Sequence, residues 1–333
     1  MQKYLFSFTL VLSMFLSGCA THVKLKAIQP AEIDRATTTK NIAVVAFKHD
    51  RVGLSSKIES NLARHRIDNR TFFTIVSRSD LNQVLKEQKL QNSGLVETKD
   101  IVEVGELIGA QAIISGNVGK ASSSDSRFYE TRSRCADKKC KELYYYKVGC
   151  TKRIISLSAE IKMVDVTKGD IIYADNMSRS ATYKHCRDDS RALPSKETVA
   201  QDLASTIANS FTYKLTPHYR YFNVELLEKP DLDYTDAQED LLENALKYIE
   251  HTRYDKAAQL LISLIDSTDQ QSYVAFYNLG VVKEAQGDYE KAKIYYEKSD
   301  SLTLEPIEAV NVAYLRINRM IDEHHIITQQ MSR

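Results

Sequence analysis

Ile42-Ala-Val-Val-Ala-Phe47, Phe72-Phe-Thr-Ile-Val-Ser77 and Ala112-Ile-Ile-Ser-Gly-Asn-Val118 are the three apolar runs that decide the fold. Each has the length of a buried strand, and the second is rich in β-branched and aromatic residues. Between the runs the apolar period changes to that of a helix. Leu81, Val84, Leu85 and Gln88 follow helical spacing after Arg78, and Ile101, Val104, Leu107 and Ile108 mark another amphipathic helix. Thr98 can cap that helix, and Gly109 can end it in the left-handed conformation. Asn41–Val118 therefore reads strand, helix, strand, helix, helix, strand.

Further on, Ile155, Leu157, Ala159, Ile161 and Met163 alternate with Ser156, Ser158, Glu160 and Lys162, which predicts a strand with one buried face. Thr167-Lys-Gly-Asp170 is a turn, and Ile171 to Tyr183 is the partner strand. Ser195 is placed to cap a helix whose Val199, Leu203, Ile207 and Phe211 form one apolar face. The fold class read from these patterns is α+β, a mixed sheet flanked by helices.

This order of parts resembles the CsgG-like family of bacterial envelope lipoproteins. The resembling residues are IAVVAF, the block FTIVSRSDLNQVLKEQKLQNSGLVE (Phe73–Glu97), VGELIGAQAIISGNV (Val104–Val118) and the hairpin run MVDVTKGDIIYAD. The resemblance implies a periplasmic domain over residues 41–215 that can form homo-oligomers. Curli-secretion members carry a membrane-spanning hairpin where this chain has Gly119–Lys152. Here Asp125, Arg127, Arg132, Arg134, Asp137, Lys138, Lys139 and Lys141 interrupt any lipid-facing side, and a charge in that band costs about 2–4 kcal/mol at mid-depth. The second hairpin and the pore-constricting loop of those members also have too few residues here. The expectation is that the chain keeps the periplasmic part of the plan and lacks the pore parts.

The first eighteen residues read as an address. Lys3 precedes a short apolar core from Tyr4 to Phe15, and Leu16-Ser-Gly-Cys19 resembles a bacterial lipobox. Cys19 is then the lipidation site and the mature N-terminus, carrying diacylglycerol and an N-acyl chain such as palmitate. Several chains anchor far better than one, since each buried CH₂ contributes about 0.8 kcal/mol. No Asp follows Cys19 directly, which points to the outer membrane. Residues 19–40 are read as a tether, because they lack apolar periodicity.

Net charge is +1 over 333 residues, which argues against a nucleic-acid partner. The charge is segregated, however. Lys120–Arg153 carries ten basic against four acidic residues, and Asp231–Arg333 nineteen acidic against ten basic. Cys135, Cys140, Cys150 and Cys186 remain besides Cys19. An even number in an exported chain reads as two disulfides, with three possible pairings. A metal site using His185 beside Cys186 is the rival, without the familiar paired spacing. Residues 119–152 are expected to form a disulfide-pinned surface ribbon. Its contact patch of Arg127, Arg132, Arg134, Lys138, Lys139, Tyr144, Tyr145 and Tyr146 would suit an anionic, carbohydrate or protein surface, or simply face water.

After a linker over residues 216–236, residues 237–330 repeat. Thr252-Arg-Tyr-Asp-Lys-Ala257 aligns with Gly287-Asp-Tyr-Glu-Lys-Ala292, thirty-five residues later. These residues resemble a tetratricopeptide repeat (TPR), whose period is about 34. Ala257, Gly280 and Ala292 would let helices approach, Tyr254, Leu279, Tyr289 and Tyr296 would fill the gaps, and Gly287 would make the turn. Pro306–Met320 reads as a closing helix. A plain helical bundle is the alternative.

No motif supports catalysis: there is no P-loop, dinucleotide fingerprint, GxSxG or HExxH. No catalytic residue, metal ligand or dissociable cofactor is assigned. The expected function is a non-enzymatic outer-membrane lipoprotein, mostly periplasmic, that scaffolds an envelope assembly and binds proteins through its repeats. A ring-forming secretion component and an activator of a cell-wall synthase are the alternatives.

Overall fold

The computed structural model describes residues 21–77 and 98–333. Cys19 with its signal segment, and the helix expected over Arg78–Gln88, lie outside the described residues. In chain order the strands are β1 (His22–Gln29), β2 (Asn41–Val44), β3 (Arg66–Ile67), β4 (Arg70–Thr71), β5 (Thr74–Ile75), β6 (Ala112–Val118), β7 (Ser122–Cys135), β8 (Leu143–Asp165), β9 (Ile171–Cys186) and β10 (His218–Glu225). The helices are α1 (Leu54–Arg64), α2 (Thr98–Leu107), α3 (Lys196–Leu215), α4 (Asp236–Glu250), α5 (Tyr254–Ser267), α6 (Tyr273–Ala285), α7 (Tyr289–Ser301) and α8 (Glu308–Ser332).

These elements form two compact units. One comprises Ile28–His218 with His324–Arg333, and the other Tyr219–Glu323 with the described residues before Ile28. The first is the sheet unit. Its strands run β5-β2-β6-β8-β7, with β9 on β8. β2 is parallel to both β5 and β6. β8 is antiparallel to β6, β7 and β9, so the sheet is mixed.

The apolar runs show why. Ile42, Val44, Ala112 and Ile114 belong to a core shared with Leu54, Ile58 and Leu62 of α1 and with Val199, Leu203, Ile207 and Phe211 of α3. Ala43, Val45 and Ile113 belong to a second core with Val104 of α2, Val164 and Val166. Strands covered on both faces have no polar face to show, hence the absence of alternation. In β8, Ile155 to Met163 alternate because only one face meets the large core. Asp50 accepts from the backbone N–H groups of Leu54 and Ser55 at 2.8 and 2.9 Å and starts α1. Ser195 caps α3, accepting from the Thr198 N–H at 3.1 Å. Gly109, with φ +68°, ends α2.

Residues 22–40, expected as a tether, are structured. Val23, Leu25 and Ala27 of β1 are buried, β1 pairs with β10, and Asp34–Thr38 is a 3-10 turn. The short alternation was masked because Lys24 and Lys26 stand between the apolar residues. Their ammonium groups lie 5.1 and 3.6 Å from the Tyr221 and Tyr219 ring centroids. Residues 216–236, expected as a linker, contain β10. Beyond it the backbone of Leu227 is bracketed by the Asn278 amide, which donates to its carbonyl at 2.7 Å and accepts from its N–H at 3.1 Å. The closing helix also runs further than Met320, to Ser332.

The second unit is helical apart from β1 and β10. Its core gathers Leu242, Ala245, Ile249, Ala257, Leu261, Tyr277, Leu279, Val281, Ala292, Tyr296, Ala313 and Ile317.

Candidate functional site

Two surfaces carry the residues singled out by the sequence. The first is a ribbon within the sheet unit. β6 and β7 run in succession along one edge of β8, while β9 lines the other edge as far as the pair Cys150 and Cys186. Beyond that pair, Tyr129–Cys135 and Leu143–Gly149 continue as a two-stranded ribbon. Disulfides join Cys150 to Cys186 across β8 and β9, and Cys135 to Cys140 at the tip. The expected sulfur staples are present, and their pairing is now fixed. His185, the rival metal ligand, is the strand neighbour of Cys186 and donates from Nδ1 to the Arg191 carbonyl at 2.7 Å. Glu130 lies beside the Cys150 and Cys186 sulfurs. Those sulfurs are bonded to each other and offer no thiolate, so the trio does not make a metal site.

Strand alternation splits the expected basic and aromatic patch. Arg132 pairs with Tyr146 and Arg134 with Tyr144, on one face with Phe128, Val148 and Cys150. The Tyr144 and Tyr146 rings stack at 6.2 Å, and the Arg134 guanidinium lies 5.3 and 5.6 Å from their centroids. Arg127 and Tyr145 point to the other face, with Tyr129 and Leu143. Tyr129 is 76% exposed and Tyr145 64%. Lys138 and Lys139 sit exposed in the loop between the strands.

Acidic residues missed by the sequence reading offset part of the basic charge. Arg132 bridges Asp188 at 3.0 Å and Asp189 at 2.9 Å, and Lys184 bridges Glu130 at 2.8 Å. Tyr146 donates to Asp188 at 3.2 Å. The Cys186 N–H and then Arg132 hold the Asp189 carboxyl below its ordinary range, and the Asp189 hydrogen bond holds the Arg132 guanidinium above its own. The loop after β9 thus ties β9 to β7. Asp188-Asp189 beside Cys186 was the available sequence signal.

The second surface belongs to the helical unit. The turns between α4 and α5 and between α6 and α7 repeat bond for bond at an offset of thirty-five residues. His251, Thr252 and Arg253 donate from their N–H groups to the carbonyls of Lys247, Ile249 and Tyr248. Gln286, Gly287 and Asp288 donate to those of Val282, Glu284 and Lys283. Thr252 and Gly287 both have positive φ, 57° and 79°. Ala257, Leu279, Ala292 and Tyr296 are buried, while Tyr254 and Tyr289 are half-buried against the core. A Cβ on Gly280 would stand 2.6 Å from the Tyr296 ring, so only glycine allows that approach.

The offset also exposes one polar exception in the core. Glu284 occupies the position of Ile249 in the first copy, and its side chain is fully buried. It accepts from Arg316 Nε at 2.7 Å and from the guanidinium's second nitrogen at 2.9 Å. The Tyr296 hydroxyl donates to it at 2.6 Å. Burial works against the Arg316 charge, but the Glu284 contact outweighs it and raises the guanidinium above its ordinary value. Burial first, then Glu284, pushes the Tyr296 hydroxyl well above its usual range. Tyr277, Val281 and Glu284 share one helical face, a spacing that marks Glu284 as inward. Asp231 fastens the start of α6, accepting from Ser272 Oγ at 2.9 Å, the Tyr273 N–H at 2.6 Å and the Tyr234 hydroxyl at 2.8 Å.

Among the described residues no helix is long and apolar enough to cross a membrane. No curated protein matches the chain. Among solved structures it is similar to lipoprotein GNA1162 from Neisseria meningitidis, at 15% identity over 52% of this chain and 97% of that one, TM-score 0.27. It is similar to the LpoB C-terminal domain from Salmonella enterica, at 12% identity over 45% of this chain and 95% of that one, TM-score 0.27. The PelC dodecamer from Paraburkholderia phytofirmans shares 12% identity over 59% of this chain and 98% of that one, TM-score 0.21. The family model described as "Curli production assembly/transport component CsgG" matches residues 34–127, from the 3-10 turn through β2, α1, α2 and β6 into the first half of β7, and the likeness to that family is carried by this segment.

Proposed function

We propose that the protein is a non-enzymatic lipoprotein of the outer membrane, held on its periplasmic side by the lipid on Cys19, that serves as a scaffold in an envelope assembly. The helical unit is its protein-binding part and acts as a short TPR-like array. The observation that carries this reading is the thirty-five-residue offset at which Tyr254 and Ala257 of α5 recur as Tyr289 and Ala292 of α7, both alanines buried and both tyrosines packed on the same core. A plain bundle has no reason to repeat its packing positions at one offset, whereas stacked helical hairpins do. The CsgG-family match over residues 34–127 supports the envelope setting.

The ribbon favours the scaffold over the membrane-channel alternative. Glu130, Arg132 and Arg134 lie on one of its faces, and Arg127 and Lys147 on the other. Neither face offers the uninterrupted apolar side that insertion into hydrocarbon requires. The test is the mass of the detergent-extracted lipidated protein by light scattering, with images of the same particles. A monomer or dimer is expected. A ring of many subunits, with protease-shielded ribbon residues in intact membranes, would reverse the choice. Retention of Cys19→Ser in the membrane fraction would overturn the anchor.

A further inference from the structure

Helix α8 buries Val310, Ala313 and Ile317 in the core of its unit, and Met320 is buried as well. Its opposite side carries Glu308, Val312, Leu315 and Arg319, spaced by four, three and four residues, which is one stripe of a helix. Val312 is 46% exposed and Leu315 72%, and Leu304 just before the helix is fully exposed. The outermost helix of a stacked array needs a polar outer side to stay soluble. Here the centre of that side is apolar, and only its ends are charged.

We propose that this stripe is a pairing surface for a second copy of the chain, with α8 lying antiparallel to α8 of that copy about a twofold axis level with Ala313 and Tyr314. The order of residues selects the arrangement. In the antiparallel register Val312 meets Leu315 of the second copy, and Leu315 meets its Val312. Glu308 then meets Arg319 of the second copy, and Arg319 its Glu308. A twofold contact is self-complementary, so every favourable pair occurs twice. A parallel register would set Glu308 on Glu308 and Arg319 on Arg319. Among the described residues Arg319 has a loose partner, Glu323 at 3.8 Å, and its side chain is 58% exposed. Asp322, the next residue of the stripe, falls level with Glu305 of the second copy, before its helix begins, so the complementary pairs run from Glu308 to Arg319.

Residues 231–333 carry nineteen acidic and ten basic residues, so two copies repel at long range. At about 0.15 M salt the screening length is about 8 Å, which suppresses that repulsion while leaving the close pairs. The pairing therefore joins two scaffolds through the helical units.

The experiment is sedimentation equilibrium of the full lipidated protein in detergent, at about 0.15 M salt. The wild type is expected to be a dimer. Leu315→Asp is expected to be monomeric at the same concentrations. E308R and R319E should each weaken dimerisation by about tenfold or more, because each creates two like-charge contacts, about 1.4 kcal/mol in total. The double variant E308R/R319E exchanges the charges and should return to within about threefold of the wild type. All three positions are on the surface, so the melting temperatures at low protein concentration should match. A wild type that stays monomeric to about 100 µM, where pairs weaker than about 5.5 kcal/mol escape detection, would overturn the proposal. So would a mass unchanged by Leu315→Asp, or a double variant no better than the single ones. The same stripe binding a helix of another protein would appear as the first of these results.

Discussion

Glu284→Ala tests how the helical unit carries a charge in its core. The wild-type carboxylate is fully buried and accepts three hydrogen bonds, two from Arg316 and one from Tyr296. Truncation leaves the Arg316 guanidinium, whose side chain is only 11% exposed, without its counter-charge. Removing one partner of a buried ion pair costs about 3–5 kcal/mol. The Tyr296 hydroxyl is orphaned as well, at about 1–3 kcal/mol, but the two costs overlap. The expected loss is about 4 kcal/mol. Glu284→Gln keeps the shape and one acceptor and should lose about 2 kcal/mol. The first repeat copy supplies the control, since it has Ile249 and Leu261 at the positions of Glu284 and Tyr296. The triple variant E284I/Y296L/R316L removes every member of the network together. Its stability should fall within about 2 kcal/mol of the wild type, because exchanging a buried pair for apolar residues is close to neutral. The assay is urea unfolding followed by helical circular dichroism, comparing midpoints at a common slope. A loss below about 1 kcal/mol for Glu284→Ala, the size of a surface contact, would refute the reasoning, since Arg316 would then have found water. A triple variant no more stable than Glu284→Ala would refute it too.

Three further outcomes are expected. Gly280→Ala should cost about 1–3 kcal/mol of stability because its Cβ meets the Tyr296 ring at 2.6 Å. G280A/Y296L, which reproduces Ala245 and Leu261 of the first copy, should lose less from the added Cβ than G280A does alone, measured by the same unfolding curves. C150S/C186S should raise amide exchange where β9 ends against β8, near Thr151 and His185, whereas C135S/C140S should affect only the tip loop. Equal effects of the two pairs would contradict the positions of the staples. Burial, opposed by the Pro217 carbonyl, holds the His65 imidazole below its ordinary value of 6.5. The folded state therefore resists a proton that the unfolded state accepts below about 6.5. Stability from this group is complete above that pH and is lost as pH falls through the folded value. His65→Gln, which keeps a donor for Pro217, should flatten this part of the acid slope in melting temperature. An unchanged slope would mean that His65 is not its source.

The amino-acid sequence by itself determined the strands and helices whose neighbours lie close along the chain. β2, β6 and the 155–163 part of β8 were legible because burial on two faces or on one leaves a run or an alternation. α1 was implied only by the gap between two strands, while α3 was announced by Ser195 and an apolar face. The thirty-five-residue repeat and the role of Gly280 could be read from composition at fixed offsets. Even the sulfur staples could be counted, since export makes paired cysteines the simplest reading. What only the tertiary structure decided depends on partners far apart in sequence. β1 is a strand because β10 pairs with it across almost two hundred residues, and neither carries enough apolar residues to stand out alone. The pairing of the cysteines follows from the register of β8 with β9, which shifts beside Met163 and so could not be counted from the turn. The contact patch was drawn as one surface because its residues are adjacent along the chain, but a strand sends neighbours to opposite faces. Glu284 is core only because Tyr296 and Arg316 arrive from later helices to satisfy it. Local periodicity can tell which face a residue takes, but whether a charge on that face is tolerated is set by what the rest of the chain brings to meet it.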